Sequence, residues 1–398
     1  MNYRRLGAET RICTQITCFS DTRLDYLGHL GKQKTTCVLY GKIGGIVTKR
    51  FSVIILIIMQ KHSLSVAILY YAGTNQDDED TISGVKGIEE SLKRTGHPVR
   101  KTIVTKQNWE KALQTPGDIV FNFVEDDTWE LYEKIAYGLE RLGRAQVGHD
   151  IAGLKYAVRK SPIKFLMQKM HISTPDFKIF NTNSETIDPG NLRFPVIIKP
   201  SNQHAGIGIS QESVVTNERE LRERVTTMLL MYPGEVMAEE YVRGREIHVT
   251  ILGNGNRLIV LPYCEIGFKG KFLSHWNVYT YDAKWAKKTW EYADARVDAP
   301  AKISSDLQAK IKALSLTSYR AFKCRDIARI DVRVDEKGIP FIVDVNMNPS
   351  INYYDEQDAT LASVYALGWT YDQFIERLLT ITYGRVYGGQ WKVKRLRK

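Results

Sequence analysis

The sequence predicts an α/β body followed by a larger half of α+β character, and three observations carry that expectation. From Val66 onward, apolar strand-like runs alternate with amphipathic helical ones, the pattern of a sheet with helices packed on it. Past Pro195 the runs become long and strand-like, with few helices between them. The 398 residues are 43% hydrophobic and 25% charged, an ordinary globular balance with room for two or three domains.

Taken in order, residues 66–71 read as a buried strand and residues 72–79 as a loop. A helix then places Ile82, Val85, Ile88 and Leu92 on one face, and Gly96 ends it. Residues 118–124 form a second strand. A helix over 129–142 follows, with Leu131, Ile135, Leu139 and Leu142 inward and Gly143 as its stop. A lysine-rich helix is expected over 154–170 and a linker over 188–194. Strands are expected over 195–200, 209–215, 235–242, 246–252, 257–266, 327–334 and 340–345. A helix over 306–322 turns Leu307, Ile311 and Leu314 inward.

Composition excludes several classes. The longest apolar run, residues 51–59, has nine residues, about half of what a bilayer crossing needs. The first 50 residues alternate charged and polar groups and lack a secretory signal's apolar core, so the chain reads as a soluble cytoplasmic protein. Its net charge of +11 sits at the ends: residues 1–58 hold nine bases against three acids, and residues 385–398 hold six bases and no acid. The body is near neutral, which argues against a nucleic-acid face and for solvated tails. Of five cysteines, Cys13, Cys18 and Cys37 precede residue 59 and form no CxxC pair, while Cys264 and Cys324 read as buried thiols. Residues 1–58 show little periodicity and no paired amphipathic elements. They read as an extension outside the fold, with Met59 as a candidate functional start.

Two strands in the second half interrupt apolar runs with oxygen-bearing side chains. Asp331 lies on one, Asp344 and Asn346 on the other, and the strand period of two puts 344 and 346 on one face. Acids set in such apolar runs need partners, and oxygen donors of this kind suit Mg²⁺ beside phosphates. Lys199 ends another apolar strand, where a buried ammonium needs an anion such as a nucleotide phosphate. The loop that follows, with Gly206 and Gly208, can bring backbone N–H groups to phosphate oxygens; it equally suits a plain turn. His204 beside it reads as a surface loop residue.

The series Lys160 and Lys164, Lys199-Pro200, residues 238–246 with their Glu-Glu-Tyr-Val-x-Gly-x-Glu run, residues 281–284, Arg329-Ile-Asp331 and residues 344–349 resembles the ATP-grasp enzymes. Within them it is most similar to the D-alanine–D-alanine ligases, over residues 64–384. The resemblance implies an ATP-grasp fold with an N-terminal α/β (pre-ATP-grasp) domain. The expected divisions are an extension over 1–58, an N-terminal α/β substrate domain over 59–150, a central subdomain over 151–241, a C-terminal subdomain with the metal site over 242–384, and a basic tail over 385–398.

It also implies roles. Lys160 and Lys199 match the lysines on the nucleotide phosphates, and Gly206 and Gly208 fall in the phosphate loop. Glu239 matches the acid on the adenine amino group, Val242 the backbone position reading the adenine ring, and Glu246 the acid on the ribose hydroxyls. Lys284 falls on the terminal phosphates, Arg329 on the oxyanion or acceptor carboxylate, and Asp331, Asp344 and Asn346 on two Mg²⁺ ions, for which Mn²⁺ can substitute. The implied reaction is ATP-dependent ligation of a carboxylate to an amine through an acylphosphate. Its substrates would be amino acids or dipeptide precursors, with no membrane partner and, as the family suggests, a homodimer. Alternatives are a ligase of the same fold for other acids and amines, and a nucleotide-binding protein without turnover.

The chain departs from the family pattern at several points. His204-Ala205-Gly206 replaces a Gly-Ser-Ser run, Asp344 replaces a glutamate, and Asp355 and Glu356 stand near where a serine serves the acceptor carboxylate. Two acidic loops, residues 74–79 and 122–127, are candidate amine-binding surfaces.

Overall fold

The structure, a computed structural model, describes the strands Gln33–Leu39 and Phe51–Ile57 and residues 63–388 apart from 75, 127, 158 and 183–185. The chain divides into two compact units, Met1–His62 and Ser63–Lys398. In the first, Gln33–Leu39 pairs antiparallel with Phe51–Ile57, Gln33 opposite Ile57. The apolar run at residue 51 is thus one strand of an antiparallel pair. Met59, Cys13 and Cys18 lie outside the described residues, as does the tail beyond residue 388.

The second unit opens with a three-stranded parallel sheet in the order Val99–Ile103, Val66–Tyr70, Ile119–Phe123. Its central strand is fully buried from Val66 to Leu69. The helix Gln76–Thr95 lays Val85, Ile88 and Leu92 on this sheet. It starts inside the segment expected to be loop, and Ile82 is 39% exposed rather than inward. Val99–Ile103 escaped the sequence reading because an edge strand carries polar side chains, here Arg100, Lys101 and Thr102. The helix Glu130–Arg141 buries Leu131, Ile135 and Leu139, whereas Leu142, one residue past its end, is 51% exposed. The expected lysine-rich helix is two, Ile151–Ala157 and Lys160–Lys169, because Arg159 between them is extended.

A four-stranded antiparallel sheet comes next, ordered Phe177–Asn181, Glu235–Glu240, Val196–Pro200, Val214–Val215. The helix Glu218–Met231, started by the Asn217 side chain accepting from the Glu220 N–H, covers it with Leu221, Val225 and Met228. The expected strand over 209–215 shrinks to two residues after a short 3₁₀ turn, Gln211–Ser213.

The last sheet runs Ala295–Asp298, Cys264–Phe268, Gly244–Asn254, Asp326–Asp335, Pro340–Asn346, with Arg257–Val260 also on Gly244–Asn254. The single strand expected over 257–266 is thus two, interrupted around Pro262, whose ring removes a ladder donor. One face, with Ile247, Val249, Ile251, Ile330, Val332 and Ile342, packs with Ile311 of the helix Ser305–Ala321. Leu307 and Leu314 pack there only partly buried. The helices are more numerous than the sequence suggested. Tyr371–Tyr387 joins the two ends of the unit, its Phe374, Ile375 and Leu378 sharing one core with Ile68, Ile88, Leu252 and Ile327. Arg385, expected in a solvated tail, belongs to this helix and donates to the fully buried Asp326 at 2.9 and 2.7 Å.

Candidate active site

The opposite face of the last sheet carries the chemistry. Alternation along Asp326–Asp335 puts Arg329, Asp331 and Arg333 on one side, and the paired strand puts Thr250, His248 and Glu246 directly across from them. On the other flank Asp331 stands opposite Asp344 and Arg329 opposite Asn346, with a bulge after Asp331. The bulge keeps Asp344 and Asn346 on the same side as Arg329 and Asp331.

A cavity of about 210 Å³ opens on this face. Of the residues singled out in the sequence, Lys160, Gly206, Lys284, Arg329, Asp331, Asp344 and Asn346 line it. Lys199, Gly208, Glu239, Val242 and Glu246 are not part of that lining. The Lys160 ammonium donates to the Gln203 carbonyl and is 7% exposed. Burial pushes its pKa down, and neighbouring Asp344 only partly offsets this. Asp344 remains a carboxylate at about 2: burial would raise it, but Lys160 and Lys199 pull it lower. Burial likewise lowers Lys284, which has Arg329 as a like-charged neighbour.

Lys199 makes a 2.7 Å ion pair with Glu239 Oε2, and Lys164 donates to Glu239 Oε1 at 3.0 Å. All three side chains are buried, and Lys164 also donates to Thr174 Oγ1 and the Ile342 carbonyl. Burial depresses Lys164 to about 8 despite Glu239. Burial would lower Lys199 too, yet Glu239 and Asp344 raise it above the ordinary lysine value. The Glu239 carboxylate thus faces two ammonium groups. Val242 offers its carbonyl to Arg333, and Glu246 holds Arg333 Nη1 on Oε2 at 3.1 Å and His248 Nε2 on Oε1 at 3.1 Å.

The glycines of the phosphate loop are required by the backbone. Gly206 sits at φ 84° with Tyr281 N 3.3 Å from where a Cβ would stand, and Gly208 at φ 78° with Pro200 Cγ at 2.9 Å. The loop is gripped from two sides: Trp285 Nε1 donates to the Ala205 carbonyl at 2.9 Å, and His204 packs against Trp129 with ring centroids 4.3 Å apart and planes inclined by 52°. Trp129 itself holds a left-handed backbone, φ 62°, a conformation a bulky residue adopts only when its surroundings impose it. His204 is therefore part of a contact between the α/β body and the loop, rather than a plain surface residue.

Of the two acidic loops expected to bind an amine, 122–127 brings Glu125 to the cavity lining, where it accepts from Asn348 Nδ2, and no described residue of 74–79 is in that lining. Asp80, one residue past that loop, lines the cavity and accepts from Asn352 Nδ2 at 2.5 Å. Asp126 caps the following helix by accepting from the Leu131 N–H. The α/β body uses these acids to clasp the loop after Asn346.

Asp331, Asp344 and Asn346 supply two carboxylates and an amide oxygen, a donor set that fits Mg²⁺ with substrate oxygens and water completing its shell. Two carboxylates opposed on paired strands repel unless a cation joins them. At present Arg329 binds Asp331 through both oxygens, at 2.8 and 3.1 Å, and Asn346 Nδ2 donates to it at 2.8 Å. No helix among the described residues is long and apolar enough to cross a membrane.

The family model described as D-ala D-ala ligase C-terminus matches residues 166–380. The chain belongs to that family. Its fold is ATP-grasp, and the ligase is an ATP-dependent enzyme that forms a carbon–nitrogen bond. It is 30% identical over 279 residues to the uncharacterized protein y4sG of Sinorhizobium fredii, covering 69% of this chain and 78% of that one. It is 26% identical to the D-alanine–D-alanine ligase of Halalkalibacterium halodurans, over 80% and 99% of the two chains. The crystal structure of D-alanine–D-alanine ligase from Bacillus anthracis complexed with ATP superposes with a TM-score of 0.66 at 18% identity, over 82% and 99%.

Proposed function

We propose that this ligase activates a small carboxylic acid, an amino acid in the first instance, as its acylphosphate and transfers the acyl group to an amine. The reading rests on one observation above the others: separate elements bring Lys160, Lys199 and Lys284 to the flank of the opposed carboxylates Asp331 and Asp344. Such a cluster is built for polyphosphate and divalent cation together.

In this reading the three ammonium groups hold the nucleotide phosphates, and Glu239 keeps Lys199 charged and fixed in the interior. Asp331, Asp344 and Asn346 would hold Mg²⁺, which supplies charge neutralisation at the phosphate oxygens. The acid's carboxylate oxygen attacks the γ-phosphorus, the bond to the β,γ-bridging oxygen breaks, and ADP leaves. The amine then adds to the acyl carbon, Arg329 stabilises the developing oxyanion, and inorganic phosphate departs with the proton the amine gives up as the amide forms.

D-alanine in both positions is the primary substrate pair. A second reading, with another amine as acceptor, is favoured by Asp355, which lines the cavity where the resemblance expects a serine for an acceptor carboxylate. A carboxylate there repels that group and suits an acceptor without one. The test is ADP release with Mg-ATP across a panel of D- and L-amino acids and simple amines, with products weighed by mass spectrometry. A D-Ala-D-Ala product supports the primary pair. ADP formed only with other acceptors moves the specificity, and no acid-dependent ADP across the panel refutes the ligase reading.

A further inference from the structure

Arg333 carries no role from the sequence, yet its guanidinium is bound on every edge. It is 5% exposed, on the same face as Arg329 and Asp331, and directly across the sheet from Glu246. Nη1 donates to Glu246 Oε2 at 3.1 Å and to the Asn277 carbonyl at 2.8 Å. Nη2 donates to the Val242 carbonyl at 2.8 Å and the Tyr241 hydroxyl at 3.2 Å, and Nε to the same Val242 carbonyl at 3.2 Å. Its Cζ lies 5.1 Å from the Tyr241 ring centroid.

These contacts tie three things together: the Tyr241–Gly244 connection between two sheets, the segment at Asn277, and the Glu246 carboxylate. With His248 on Oε1 and Arg333 on Oε2, Glu246 is fixed in rotation while each oxygen keeps a second lone pair. A carboxylate so held is ready to accept from a vicinal diol. Burying a guanidinium is costly unless its donors are met by fixed acceptors, and here they are met by the groups that would face a nucleotide's sugar and base.

We propose that Arg333 is a positioning residue for nucleotide recognition, orienting Glu246 toward the ribose hydroxyls and pinning the backbone at Val242 beside the base. The proposal rests on the reading that this cleft holds ATP, and the experiment separates the two. The full chain is titrated with ATP and with 2′-deoxy-ATP in Mg²⁺ buffer, as wild type, Arg333→Met, Arg333→Lys, Glu246→Gln and the Arg333→Met/Glu246→Gln double variant.

Wild type is expected to prefer ATP about tenfold, Arg333→Met to bind ATP about tenfold more weakly, and its preference to fall to within about twofold. In the double variant the preference for ATP should be no smaller than in Glu246→Gln alone, because the arginine reaches the ribose through the acid, while a further loss shared equally by ATP and 2′-deoxy-ATP reads the backbone at Val242. A folded Arg333→Met protein that keeps the full preference overturns the proposal and leaves ATP binding standing. Additive losses of that preference in the double variant overturn it too. Wild type that binds no ATP refutes both readings. If Arg333→Met does not fold, Arg333→Lys is read instead: it keeps the charge and loses the fork, so its preference should be intermediate, and an undiminished preference overturns the proposal.

Discussion

Asp331 stands directly opposite Asp344 across paired strands, with Lys160 and Lys199 holding the second carboxylate ionised. Both carboxylates are paired within the chain, Asp331 with Arg329 and Asp344 with the two lysines, and together they would offer Mg²⁺ two carboxylate donors. Adding Mg²⁺ with a non-hydrolysable ATP analogue should raise the melting temperature of wild type, since a ligand that binds only the folded state stabilises it. Asp344→Asn should lose most of that increment while still folding. Differential scanning fluorimetry across a Mg²⁺ series makes the comparison.

Glu239 balances two buried ammonium groups, Lys164 and Lys199. Removing its charge takes away the largest compensation of both and leaves them chiefly Asp344 as a nearby acid, so Glu239→Gln should cost about 3–5 kcal/mol of stability in urea unfolding. Lys199→Ala should cost less stability but lower kcat/KM for ATP by roughly 100-fold, the worth of a charged contact of about 3 kcal/mol.

Asp358 lines the cavity and starts the helix Ala359–Ala366, accepting from the Leu361 N–H at 2.8 Å. Burial, aided by Asp355, pushes its carboxyl up to about 7. The folded state then keeps a proton that the unfolded chain loses near pH 4, so this group's contribution is full below pH 4 and is lost as pH rises to 7. Asp358→Asn keeps the cap and removes the titration. The stability of wild type relative to this variant should decline across pH 4 to 7, as measured by chemical denaturation at several pH values.

Asp355→Ser restores the hydroxyl that the resemblance leads one to expect. If the aspartate disfavours acceptor carboxylates, this change should shift turnover from amines toward amino acids by roughly tenfold. The competing-substrate ratio, read by mass spectrometry, decides it.

Much of this site is visible in the sequence because strand alternation is a local property. Lys199, Asp331, Asp344 and Asn346 announce themselves as polar groups in apolar runs. What the chain hides is pairing between distant segments. Nothing near Glu239 says that Lys164, 75 residues earlier, will share it with Lys199. Arg333 reads as one more charge on a strand until Glu246 is placed across from it. Trp129 and His204 meet only because the α/β body folds against the phosphate loop. Glu125 and Asp80 likewise find their partners, Asn348 and Asn352, more than 200 residues away. Element ends failed more locally: Arg159 breaks a helix, and the chain around Pro262 breaks a strand, without disturbing the hydrophobic period on either side.

In the proposed reaction a substrate carboxylate is phosphorylated in this cleft. It is tested most directly with D-alanine labelled with ¹⁸O in both carboxylate oxygens, incubated with Mg-ATP and the enzyme, followed by mass analysis of the released phosphate. Attack of the carboxylate on the γ-phosphorus predicts one ¹⁸O in each phosphate formed per amide bond, and none above background with Lys284→Ala. Unlabelled phosphate accompanying ADP release would mean that water, not the carboxylate, takes the phosphoryl group, and would contradict the account.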